Sequence, residues 1–182
     1  MKYKELVEQV LTEADNKVDA LREFNNSLSP NKRYFITRNK QIKVSSVTQK
    51  GGTKPNGLWY SVGDEWFQWL LYDMPEWIYD FVFEVEINDR NVLKINNTKT
   101  FRNFEKQYLT VDRGGGFMIP DWKSVANDYS GIEIAPYLSQ FRQEDWYYGW
   151  DVASGCIWNN KAVKKVSLIA EYDAVDKEYK YN

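Results

Sequence analysis

Residues 79–89, YDFVFEVEIND, decide the fold class. Phe81, Phe83, Val85 and Ile87 alternate with Val82, Glu84, Glu86 and Asn88. That two-residue period is the pattern of a β-strand with one dry and one wet face. The tetrapeptide NDRN (88–91) follows and can turn the chain back into a second strand, VLKI (92–95).

The same reading extends in both directions. Toward the N-terminus, RYFITR (33–38), QIKVSSV (41–47) and GLWYS (57–61) are rich in β-branched and aromatic residues and read as strands. KGGTKPNG (50–57) between them reads as a mobile loop, since its glycines, proline and asparagine favour turns. Further back, Tyr3, Leu6, Val7, Val10, Leu11, Ala14, Val18 and Leu21 recur at steps of three and four, which predicts an amphipathic helix within residues 1–28.

Asp64 is expected to cap a helix holding Trp66, Phe67, Trp69 and Leu70. Toward the C-terminus, Thr98 or Thr100 can cap a helix with Phe101, Phe104, Tyr108 and Leu109 on one face. DRGGGFMIP (112–120) reads as a second glycine loop, and Trp122, Val125, Ala126 and Tyr129 share a face of another helix. GIEIAPY (131–137), GCIW (155–158) and KKVSLIAEYD (164–173) read as later strands. Strands interrupted irregularly by short helices predict an α+β fold, a single domain over 1–182 with two small, mostly antiparallel sheets and the N-terminal helix packed outside.

Composition narrows the chemistry. Of 182 residues, 43% are hydrophobic and 16% aromatic, with eight Trp, so a packed core is expected and disorder is not. No apolar run approaches the roughly 20 residues that cross a bilayer, so no membrane partner is expected. The first residues carry acids within their apolar pattern and do not read as a signal peptide. A lone Cys156 excludes an internal disulfide and suits a reducing compartment, so the expected localisation is cytoplasmic. The chain has no histidine, which removes Ser-His-Asp and Cys-His catalysis and His-based zinc sites. Any chemistry must run on Glu, Asp, Ser, Tyr, Arg or Lys.

Charge is segregated although the net value is only −2. Residues 25–63 contain no acid but hold Lys32, Arg33, Arg38, Lys40, Lys43, Lys50 and Lys54. Residues 64–89 hold eight acids and no base. Either the two segments pair with each other, or the basic one receives phosphates of a nucleotide or nucleic acid.

Three stretches could carry chemistry. On the strand GIEI, Glu133 points opposite to Ile132 and Ile134, beside the small residues Gly131 and Ala135, which would leave room for a ligand. An open setting of this kind predicts that replacing Glu133 leaves folding nearly unchanged. In GLWYS, the adjacent Trp59 and Tyr60 face opposite ways, and Ser61 shares the face of Trp59; a flat heterocycle could stack on an aromatic there. Trp66 and Trp69, at helical spacing, read as core. In RYFITR, Arg38 can offer a bidentate fork to phosphate or ribose, with Arg33 as its rival.

An arginine ending an early strand, a serine on a middle strand after an aromatic, and a glutamate on a later strand resemble the Arg–Ser–Glu arrangement of ADP-ribosyltransferases. NVLKINNTKTFRNFEKQY and DWKSVANDYSGIEIAPY are similar to the pieces ahead of that family's catalytic glutamate, and the resemblance covers residues 32–172. It implies that NAD is a co-substrate bound in a cleft between two small sheets. Arg38 would lie near the phosphates or ribose, Ser61 would shape the pocket, and Trp59 or Tyr60 would stack on nicotinamide, with Arg33 as the alternative ligand arginine. Glu133 would stabilise the oxocarbenium-like ribose as nicotinamide leaves, and the acceptor would be a macromolecule, protein or nucleic acid. Two positions depart from the pattern. Gly131 stands where arginine-modifying members carry a second acid, and Gly63 interrupts the Ser-x-Ser signature.

Two rivals come from other classes. Asp80, Glu84 and Glu86 could serve a carboxylate-metal nuclease, though no lysine follows two residues past the acid. Aromatic platforms together with the basic segment suit a non-enzymatic module that binds nucleic acid or a protein partner.

Overall fold

The computed structural model describes residues 3–112 and 115–182, with side chains from Thr12 onward. Helix α1 (Tyr3–Asn25) leads to β1 (Arg33–Thr37), β2 (Leu58–Val62), α2 (Glu65–Tyr72) and β3 (Phe81–Ile87). Then come β4 (Val92–Ile95), α3 (Thr98–Tyr108), β5 (Leu109–Val111), β6 (Met118–Pro120) and α4 (Trp122–Asp128). The chain closes with β7 (Gly131–Ile134), β8 (Ser154–Ile157), β9 (Val163–Asp173) and β10 (Glu178–Tyr181).

Eight of these strands form one sheet in the order β10-β9-β3-β1-β2-β8-β7-β4, and β5 pairs with β6 in a separate two-stranded sheet. Within the large sheet every neighbour is antiparallel except β4 and β7. The class is α+β, as the strand and helix pattern predicts, but a large mixed sheet and a two-stranded one stand in place of two small ones.

The junction after β3 fixes the shape of that sheet. NDRN does not make a hairpin, because β1 and β9 already occupy both edges of β3. The chain crosses instead to β4, five places away, which in a flat sheet would be about 24 Å at ~4.8 Å per strand. Only Asn88 and the 3-10 turn Asp89–Asn91 join Ile87 to Val92, and five residue steps reach at most about 18 Å. The sheet must therefore curl. Ile87 and Val92 meet in one buried cluster with Phe35, Tyr60 and Ile157 on the concave face.

Helices cover the opposite face in two groups. Ala20, Leu21 and Phe24 of α1 pack with Phe67 and Leu70 of α2 on Tyr34, Ile36 and Val82. Tyr3, Leu6, Val7, Val10 and Leu11 lie within α1, but their side chains fall outside the described residues. Phe101, Phe104 and Tyr108 of α3 pack with Trp122 and Val125 of α4 on Ile95, Ile132, Ile134 and Cys156. Between the two groups β2 is left partly uncovered.

Local departures have local causes. The carboxylate of Asp64 accepts from the Asn25 and Gln68 side chains rather than capping α2, and the Ser61 hydroxyl accepts the Trp66 N–H at 2.9 Å. Asn97, not Thr98, caps α3, in a reciprocal capping box with Thr100. QIKVSSV forms no strand; Val47 N–H makes a single bond to Trp158 O instead of a ladder. KGGTKPNG is pinned rather than loose. The Gln49 amide bonds both the N–H and the carbonyl of Asn56, and the Trp122 indole N–H reaches Gly52 O. The glycine loop 112–120 ends in β6, with Arg113 and Gly114 outside the described residues.

Candidate functional site

The sheet register places Lys94, Glu133, Gly155 and Tyr60 in one row across β4, β7, β8 and β2, all on the concave face. Gly155 is required there, because a Cβ would overlap the Tyr60 ring. The bare backbone lets the ring lie across β8, so that its hydroxyl donates to Glu133 Oε2 at 3.0 Å. Arg33, from the start of β1, donates through Nε to the same oxygen at 2.6 Å and through Nη2 to Oε1 at 3.4 Å. Lys94 donates to Oε1 at 2.6 Å. Asp89 completes the set, 2.8 Å from Arg33 Nη2 and 2.6 Å from Lys94 Nζ. Two acids and two bases thus form a closed, neutral network.

The space beside Gly131 is not open: Ile157 fills the position a Cβ would take. Glu133 is 7% exposed. Burial on its own would raise its pKa, but hydrogen bonds and positive charge from Arg33 and Lys94 outweigh that effect and hold it below the ordinary value. Asp89 behaves the same way, its burial offset by Lys94 and Arg33. Burial, then the Glu133 charge, pushes the Tyr60 phenol well above its usual range, so it stays a donor. Glu133 is therefore held in its ionised form at neutral pH.

The expected site residues divide between two faces. Arg33, Tyr60 and Glu133 converge on the concave side. Arg38 does not join them: it lies past the far end of β1, about 16 Å along the strand from Arg33, and stacks its guanidinium 4.6 Å from the Tyr79 ring centroid. Ser61 is buried on the helix-covered face, where its hydroxyl donates to Gly63 O and serves α2. Its role is structural. Trp59 shares that face and is half-buried against Trp150, 4.9 Å between ring centroids.

Trp59 opens a second candidate. In the gap between the helical groups, Trp59 of β2, Trp66 and Trp69 of α2, Trp77 of a following 3-10 turn, and Trp150 line a cavity of about 400 Å³. Trp69 and Trp77 meet edge to face at 5.7 Å. Trp66 and Trp69, read from their spacing as core, are half-buried: they pack against the core and also face this opening. Lys54 reaches over the Trp59 ring at 5.2 Å, and Asp151 stands on the lining with it. Although Lys54 is exposed as a residue, crowding of its ammonium by its surroundings desolvates it and lowers its pKa, an effect that Asp151 partly offsets.

The two charge segments pair in part. Lys32 bonds Glu84 at 2.8 Å, and Arg33 bonds Asp89. Asp80, a candidate metal ligand, is held by Lys17 at 2.7 Å, and no cluster of three or more His, Cys, Asp or Glu suited to a metal occurs among the described residues. No described helix is long and apolar enough to cross a membrane.

Lys94, Asp89, Gly155 and Trp77 are not marked as site residues by the sequence, whereas Trp150 belongs to the aromatic run WYYGWDVASGCIW (146–158), which suits a binding module. The one available signal lay in GIEI and VLKI, whose alternation sets the outward face of each strand without saying that the two strands are neighbours. Comparison with family models, with curated proteins and with solved structures gave no match.

Proposed function

We propose that the protein is a ligand-binding module whose tryptophan cleft receives a planar ring. One observation carries this reading: five indoles from four separated segments line a single opening of about 400 Å³, within the size range of ligand pockets. Indoles serving only as core would close against one another. Here Trp77 is 44% exposed and Trp59, Trp66 and Trp69 are half-buried, so part of each ring stays open to the cleft. Titrating the full chain with flat heterocycles and following indole fluorescence tests the reading. Quenching that saturates, and that Trp77→Ala weakens, supports it. Quenching no stronger than that of a branched aliphatic control of equal size refutes it.

A second reading rests on the concave face. Arg33, rather than Arg38, would be the arginine of the Arg–Ser–Glu resemblance, and its 2.6 Å bond to Glu133 together with Tyr60 favours the pairing. In this reading Glu133, held ionised, stabilises a ribosyl cation during NAD-dependent ADP-ribosyl transfer to a macromolecular acceptor. Its requirement is that NAD opens the Glu133 network and reaches the carboxylate. Thermal stabilisation by NAD, followed by transfer of labelled ADP-ribose in a mixed lysate, tests it; absence of both refutes it. Either function is proposed to operate in the cytoplasm, where buried, unpaired Cys156 would stay reduced.

A further inference from the structure

The tryptophan cleft carries features beyond stacking, and the inference here rests on the planar-ring reading. Trp150 is 1% exposed and forms one wall, yet its indole N–H has no acceptor among the described residues. A buried donor without an acceptor is costly, and a ligand oxygen or ring nitrogen that enters beside Trp150, displacing the side chains that cover the nitrogen, would satisfy it. The second feature is Lys54. Its ammonium is held 5.2 Å from the centre of the Trp59 ring, and its flank packs against Gly149, where an added Cβ would lie 3.0 Å from the Lys54 Cε. Among the described residues no carboxylate lies within ion-pair distance of it; Asp151 acts only through its field.

These features select between ligand charges. A cation entering an aromatic cage would find Asp151 but would meet Lys54 on the Trp59 face, and it could offer nothing to the Trp150 donor. A ring that bears a hydrogen-bond acceptor and is joined to an anion answers both: the ring lies between indoles, the acceptor takes the Trp150 N–H, and the anion meets Lys54. We infer that the tryptophan cleft binds a nucleotide, its base stacked on Trp69 or Trp77 and its phosphate paired with Lys54, which lies over Trp59. The same chemistry is offered by a free nucleotide and by one unit of a single strand.

The test is binding of adenosine monophosphate, adenosine, oligothymidylate and tetramethylammonium to the full chain, read by indole fluorescence, with Lys54→Met as the variant. Lys54 is exposed at the cleft mouth, so its replacement leaves the core intact. The expected result is that adenosine monophosphate or oligothymidylate binds more tightly than adenosine. Lys54→Met should lower phosphate-bearing affinity about tenfold, the loss of one charge-assisted contact, with a clearly smaller effect on adenosine. Tighter binding of oligothymidylate than of the mononucleotide assigns the site to single strands, and the reverse assigns it to free nucleotides. Equal affinity for adenosine and its monophosphate, unchanged in Lys54→Met, overturns the nucleotide while leaving the planar-ring module standing. Binding of tetramethylammonium in preference to the anions also overturns it. Failure of every planar compound to bind removes both readings.

Discussion

Glu133→Gln is the sharpest test of the concave-face network. Glutamine keeps the size of the side chain and one acceptor oxygen, but its NH₂ must face donors, since Arg33, Lys94 and Tyr60 all donate to the carboxylate. The network also changes from neutral to a net positive charge. Removing one partner from a fully buried ion pair costs about 3–5 kcal/mol. Two facts reduce that here. The Arg33 and Lys94 side chains are 20% and 33% exposed, and Asp89 remains bonded to both. A loss of about 2–3 kcal/mol results. For a chain of 182 residues that corresponds to a fall in Tm of about 4–12 °C.

Urea unfolding and a thermal melt at neutral pH measure the loss, and a pH series identifies its origin. Glu133 has a folded pKa below its unfolded one. Its contribution is therefore present above the ordinary carboxylate pKa of about 4.3 and is lost as pH falls through the lower folded value. The gap between wild type and variant should close over that acidic window. A variant as stable as wild type would refute the network argument and restore the open-face setting read from Gly131 and Ala135. So would a gap that stays constant into acid, which would place the cost in packing instead of charge.

Further outcomes follow from the same geometry. Tyr60→Phe removes a buried donor to an ionised acceptor and should cost about 1.5–3 kcal/mol, read from the urea midpoint. Gly155→Ala drives a methyl into the Tyr60 ring and should cost about 1–3 kcal/mol or more, with altered near-ultraviolet circular dichroism as the ring is displaced. Asn97→Ala breaks the capping box of α3 and should cost about 1 kcal/mol in the same unfolding assay. Cys156 is fully buried and burial pushes its thiol pKa up, so alkylation of the native protein should proceed only as fast as the protein opens.

The curled sheet decides which of the candidate residues come together and which do not. Arg33, Tyr60 and Glu133 were all candidates, because strand alternation fixes which side of its own strand each residue takes. Choosing Arg38 over Arg33 required knowing which end of β1 lies near β7, and the two partners are separated by 100 positions in sequence. Ser61 was placed on the correct face, but its hydroxyl serves the helix that starts four residues later, a use that strand periodicity cannot signal.

Sequence alone marked most of the elements and their faces, though not the lack of a strand at 41–47 or the short pair β5–β6. The alternation of 79–89 marked β3, the apolar spacing of 101–109 marked the buried side of α3, and adjacency put Trp59 and Tyr60 on opposite sides of the sheet. The absence of histidine set the chemical repertoire before any fold was known. Only the tertiary structure decided that β4 leaves β3 for the far edge, that Gly155 lets Tyr60 reach Glu133, and that indoles from four segments share one cleft. The physical reason is locality. Backbone period and side-chain direction are properties of neighbouring residues, whereas strand order depends on which edges are still unpaired when distant segments meet.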